Sequence, residues 1–197
     1  MTQRPILLAF AIVLLASCES KREYTGAVQD TVTRSQDTLI GGVSREREDY
    51  ALVADSVAIP LRAWENEVRL ERLLGKPLSD SSTMLGEGAD THIGAVIRTI
   101  KYEGLVLELY TPKEKQIGWI MRMRATDRKY ATSRGATTGE SASRIKQLYP
   151  EGSVFPDGRN DTKRYAWFIS DAGNNSTLKF EIESDTVRQI DVYYEIP

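Results

Sequence analysis

A single cysteine, Cys18, constrains this chain more than any other residue. With no second thiol among its 197 residues the chain can form no internal disulfide, so its fold must be held by packing alone. The cysteine also stands at a marked place. It closes an apolar run from Pro5 to about Ala16, which follows the α-amino group and Arg4 and is succeeded by the small Ser17. A charged start, an apolar middle and small residues are the layout of a secretory signal peptide. Crossing a bilayer takes roughly 20 apolar residues. The run is shorter, so residues 1–17 read as a processed segment rather than a permanent anchor.

Leu15-Ala16-Ser17-Cys18 resembles the lipobox of bacterial lipoproteins: Leu, two small residues, then Cys. The resemblance implies cleavage between Ser17 and Cys18, a thioether link from Cys18 to diacylglycerol, and acylation of the new amine. One acyl chain binds a membrane marginally and each buried CH₂ adds ~0.8 kcal/mol, so two or three chains hold a protein effectively permanently. The expected location is therefore the bacterial cell envelope. The protein would be lipid-anchored to the inner or outer membrane, with its body in the periplasm or at the cell surface. The alternative is an ordinary signal peptide followed by a leftover thiol, although an unpaired thiol in an exported chain is unusual.

Loss of residues 1–17 removes Arg4 and changes the formal charge from −2 to −3. That balance is near neutral and mixed in sign. It argues against a nucleic-acid partner, which would call for a basic patch or stripe. Residues 18–49 are polar, carry Gly26, Gly41 and Gly42, and end in Arg45-Glu46-Arg47-Glu48-Asp49 without apolar periodicity. They read as a disordered tether, averaging roughly 30 Å end to end as a random coil.

The remainder divides into two similar stretches, 50–125 and 126–197. In the first, Val57 to Ile59 is extended, and Trp64 to Leu74 is expected to be helical, with Leu70, Leu73 and Leu74 on one face. Gly75 and Pro77 stop that helix. Ser79 to Asp90 reads as a loop. Strands follow at Ile93 to Lys101, Leu105 to Leu109 and Ile117 to Arg124, the last placing Ile117, Trp119, Met121 and Met123 on one face. In the second stretch Thr137-Thr138-Gly139-Glu140 has the form of a capping box opening a helix that runs to Tyr149. A loop through Pro156-Asp157-Gly158 leads to strands at Tyr165 to Ile169, Leu178 to Ile182 and around Ile190, Val192 and Tyr194. Sliding the chain by about 75 residues lays Leu70 on Ile145 and Leu73 on Leu148. The expected class is α+β: two helix–strand–strand–strand units sharing one antiparallel sheet, with the helices packed on one face. A single irregular α+β domain with chance agreement between its halves is the alternative.

The run Arg134-Gly135-Ala136, then Gly139-Glu140-Ser141, then Ile145-Lys146-Gln147-Leu148-Tyr149-Pro150 resembles a motif of uncharacterised bacterial lipoproteins. With the lipobox and the tether it is similar to envelope lipoproteins of the SmpA/OmlA type and to the β-lactamase-inhibitor-protein-like fold. Ala136 stands where that motif usually has Ile, and Pro150 where it has Gly. The resemblance implies that Gly135 and Gly139 shape a turn and that Ile145 and Leu148 pack the core. It carries no catalytic residue.

Chemistry is sparse. His92 is the only histidine, in a polar Asp-Thr-His context, so neither a zinc site nor a hydrolytic triad is expected. Asp157 to Asp161 and Asp171 to Asn175 carry oxygen ligands without EF-hand spacing and read as turns. No cofactor or metal is expected. Tyr165, Trp167 and Tyr193 are the candidate binding surface, because Trp and Tyr are favoured at interface hot spots. Core packing is the competing reading for such residues. The expected function is non-catalytic binding or scaffolding of another envelope protein. A periplasmic inhibitor of a hydrolase is the alternative, and an envelope enzyme built around His92 comes third.

Overall fold

Period-two alternation of apolar side chains decides most of the body. The computed structural model describes residues 49–155 and 163–196. The expected signal segment with Ser17 and Cys18, nearly all of the expected tether, and the expected Pro156-Asp157-Gly158 loop lie outside these residues. Asp49, the last tether residue, accepts a hydrogen bond from Arg134 Nε at 3.1 Å, and Tyr50 beside it is buried.

The fold is sheet-dominated, with two short α-helices among the described residues. A hairpin of β1 (Ala51–Ala54) and β2 (Val57–Pro60) turns on Asp55 and Ser56, both at positive φ, as a two-residue type I′ turn requires. With β7 (Ala131–Thr132) it forms a small three-stranded sheet. After α1 (Leu70–Leu74) come β3 (Ser79–Met84), β4 (Val96–Tyr102), β5 (Leu105–Thr111) and β6 (Trp119–Ala125). After α2 (Ala142–Leu148) come β8 (Ser153–Val154), β9 (Arg164–Asp171), β10 (Ser176–Glu183) and β11 (Thr186–Tyr194). These eight strands form one antiparallel sheet in the order β3-β4-β5-β6-β11-β10-β9-β8, so two meanders meet where β6 pairs with β11.

One face of this sheet carries the core. Leu105, Leu107 and Leu109 of β5 stand beside Ile120, Met123 and Ala125 of β6, then Ile190 and Val192 of β11, then Leu178, Phe180 and Ile182 of β10. Leu70 of α1 and Ala142 and Ile145 of α2 join the same apolar cluster.

Four expectations are corrected. Residues 64–69 are not helical: Glu65 N–H donates to Gly118 O at 2.9 Å and Trp64 bridges Trp119, so the chain joins the start of β6. Ser79 to Met84 is a strand rather than a loop. All six of its residues are exposed on the sheet edge, so no apolar alternation marked it. Ile117, Trp119, Met121 and Met123 do not share one face. The register slips between Glu108 and Leu109, which leaves Met121 unpaired against β5 and buries Ile120 with Met123. The capping box is not formed, since Gly139 takes φ +86° and Ser141 caps α2 by accepting from Arg144 N–H at 3.3 Å.

Candidate functional site

The face of the large sheet opposite the core is built by the other half of the alternation. Across β5, β6, β11, β10 and β9 it sets Glu108, Arg122, Tyr193, Thr177 and Ser170 abreast. The next row is Val106, Arg124, Asp191, Lys179 and Phe168. Charges of opposite sign neighbour one another across strands, an arrangement worth a few tenths to one kcal/mol per pair.

At the centre of this face Arg122 is held on two sides. Its Nε and Nη2 donate to Asp191 Oδ1 and Oδ2 at 2.9 and 2.6 Å, the planar fork meeting the carboxylate edge on. Its guanidinium carbon lies 5.3 Å from the Tyr193 ring centroid. The Asp191 side chain is 1% exposed and that of Arg122 31%, so the carboxylate is sealed beneath while the cation reaches the surface. The hydrogen bond to Asp191 raises Arg122 further above its ordinary range. Burial pushes the Tyr193 phenol up. At neutral pH the centre thus presents a fixed cation and a neutral hydroxyl. To one side Lys179 Nζ sits 2.9 Å from Glu181 and over the Phe155 ring at 5.2 Å, and Phe155 meets Phe168 edge to face at 5.1 Å.

The structure separates the three aromatic candidates. Tyr193 belongs to this face, half-buried beside Arg122. Tyr165 and Trp167 stand on the core face, half-buried against the apolar cluster. Lys146 Nζ lies 5.5 and 5.3 Å from their ring centroids. Trp167 Nε1 donates to Tyr149 O at 3.1 Å, satisfying a carbonyl at the end of α2. Sequence reasoning missed Arg122 and Asp191 as a pair. They are 69 positions apart, and only the β6–β11 register brings them together.

His92 ends a 3₁₀ turn, Glu87–His92, and its Nδ1 lies 2.8 Å from Tyr110 Oη. From there rings continue through Trp119 to Tyr194, with centroid separations of 5.5 and 5.3 Å, and Arg62 stands over Tyr194 at 4.9 Å. Among the described residues no group of three or more His, Cys, Asp or Glu could hold a metal ion. A cleft of about 460 Å³ lies between α1 and the β3–β4 edge, lined among others by Val68, Leu70, Ile100 and Tyr102. Its Arg98 is pinned by Asp80 at 2.8 and 2.5 Å and by Glu65 at 2.5 Å, which occupies the cation that an anionic ligand would need.

No family model, curated protein or solved structure matches this chain. No helix among the described residues is long and apolar enough to cross a membrane.

Proposed function

We propose that this chain is a lipid-anchored protein of the bacterial cell envelope whose sheet face docks another envelope protein, without catalysis. The observation that carries the proposal is the Arg122–Asp191–Tyr193 centre on the sheet face opposite the core, where the Arg122 side chain is 31% exposed. Arg and Tyr dominate interface energetics when their side chains are already fixed before the partner arrives. Here the Asp191 fork and the Tyr193 ring supply that fixing. The charged rows around the centre would form the polar rim that sets register and orientation.

In this reading Cys18 holds the protein to a membrane by its lipid, the tether of residues 18–49 sets the reach, and the body forms the contact. The body is taken as two helix-plus-strand units with both helices on the core face, as in SmpA/OmlA-type lipoproteins and the β-lactamase-inhibitor-protein-like fold. The two meanders meeting at β6 and β11 support that reading, as does a core shared by Leu70 and Ile145.

The test is cross-linking and pull-down of the full chain from detergent-solubilised envelopes. A reproducible partner lost in both Arg122→Ala and Tyr193→Ala is expected. Absence of any reproducible partner, or a partner indifferent to both changes, overturns the reading. Mass spectrometry tests the anchor separately: a free Cys18 thiol, or a mature chain starting elsewhere, removes it.

A further inference from the structure

The two edges of the large sheet are unlike. At one end β8 has two residues. At the other, β3 has six, all exposed, with Leu78 and Met84 at its ends 75% and 70% exposed. Exposed edges in native sheets are usually blunted by Pro, Lys, bulges or shortness. Ser79-Asp80-Ser81-Ser82-Thr83-Met84 has no Pro or Lys, and its pairing with β4 runs without a register shift. Its one charge, Asp80, is already neutralised by Arg98.

Among the described residues no strand lies beyond β3, and the backbone groups on its outer edge can be assigned. Leu78 N–H bonds Lys101 O and Leu85 N–H bonds Ala95 O, each at the margin of the β3–β4 ladder. With Ser79 opposite Lys101, strand alternation turns the amides of Ser79, Ser81 and Thr83 toward β4 and those of Asp80, Ser82 and Met84 outward.

We propose that β3 pairs with β3 of a second copy of this chain, antiparallel about a two-fold axis at Ser81. In that register Ser79 meets Thr83 and Asp80 meets Ser82 rather than Asp80, while Leu78, whose amide is already bonded to Lys101, lies just beyond the ladder beside Met84 of the other copy at both ends. Apolar residues face apolar, hydroxyls face hydroxyls, and no like charges are opposed. The outward amides of Asp80 and Ser82 fall in the hydrogen-bonded pairs, and Ser81 faces itself in a close non-bonded pair. Even positions pair with even positions, so the core faces of both copies stay on one side. Both Tyr193 faces then point the same way from one continuous sheet, as a two-fold interface requires of identical surfaces.

The test uses the full chain in detergent, with the parent chain run alongside to register any link through Cys18. Under mild oxidation Ser81→Cys is expected to form a covalent dimer, because Cα atoms in a close non-bonded pair are about 4.5 Å apart. Ser79→Cys or Thr83→Cys alone is expected to give none, and the two mixed are expected to cross-link. Sedimentation should show a dimer for the parent and a monomer for Ser82→Pro, which removes an outward amide and leaves the circular dichroism unchanged. A monomeric parent, equal cross-linking at all three positions, or capture of Ser81→Cys by a different protein overturns the proposal.

Discussion

A β-carbon at Gly152 would lie 2.2 Å from Trp167 Nε1, so the indole that caps the end of α2 occupies the space a side chain would need. Gly152→Ala should cost about 1–3 kcal/mol by displacing that ring, read in urea unfolding and in a shift of tryptophan emission. The Arg122–Asp191 pair is of another kind. Removing one partner of a fully buried ion pair costs ~3–5 kcal/mol. Arg122 is 31% exposed, so water partly screens what is lost, and Arg122→Ala should cost nearer ~2 kcal/mol. Equilibrium denaturation checks this, and a loss under 0.5 kcal/mol, the usual range for a featureless surface site, would sink it. Asp80 supplies a pH signature. Its hydrogen bond to Arg98 holds the carboxyl below its ordinary value of 3.8. A depressed pKa means that stability is gained while the group is charged. The contribution is present above pH 3.8 and is lost as acid carries the pH down through the lowered value. An exposed pair of this sort is worth below ~1 kcal/mol. Asp80→Asn should therefore lower stability at neutral pH by up to that amount, leave it nearly unchanged in acid, and so flatten the acid limb of the stability curve slightly. At this scale the residues were legible in sequence but their surroundings were not. Trp167 and Tyr193 stand out as aromatics in any reading, yet one satisfies a helix end and the other flanks a fixed cation.

At the scale of elements, α2 separates what periodicity reveals from what geometry adds. Ile145 and Leu148 mark the helix, but its first residue depends on Gly139, whose φ of +86° cannot continue into a helical turn. Thr137 Oγ1 and Glu140 Oε1 meet each other at 3.4 Å instead of bracketing the helix start, and Ser141 takes the cap. Ser141→Ala should therefore cost ~1 kcal/mol, whereas Thr137→Ala should leave helix stability within a few tenths. Thermal unfolding followed at 222 nm distinguishes them. The strand β3 was illegible for a different reason. A strand lying on an edge with both of its faces in water contributes backbone bonds alone, and Ser-rich sequence then looks like a loop. Likewise residues 64–69 contain helix-favouring types, but the Glu65 amide bonds Gly118 O, the Trp64 amide bonds the Glu67 carboxylate, and the bond from Glu67 N–H back to Trp64 O closes a single turn rather than a helix. Tertiary pairing overrode propensity there.

Across the whole molecule one apolar cluster runs through both meanders, from Ile100 and Leu107 to Phe180 and Ile190. The described body should unfold in one cooperative transition rather than two. Calorimetric and van't Hoff enthalpies should agree, and amides of β5, β6, β10 and β11 should exchange last. Two separable transitions would show that the meanders are independent. The sequence alone determined that the body is held without disulfides, because it has one cysteine, and that strands dominate, because apolar residues recur every second position. It also determined the outward polarity of Arg122, Arg124 and Tyr193 relative to their buried neighbours, since a pleated strand admits only two faces. What tertiary structure decided was which strands are neighbours. Register is set by long-range packing, not by local spacing. Only the β6–β11 join puts Arg122 on Asp191 and Tyr193, and only the sheet order leaves β3 open at its edge.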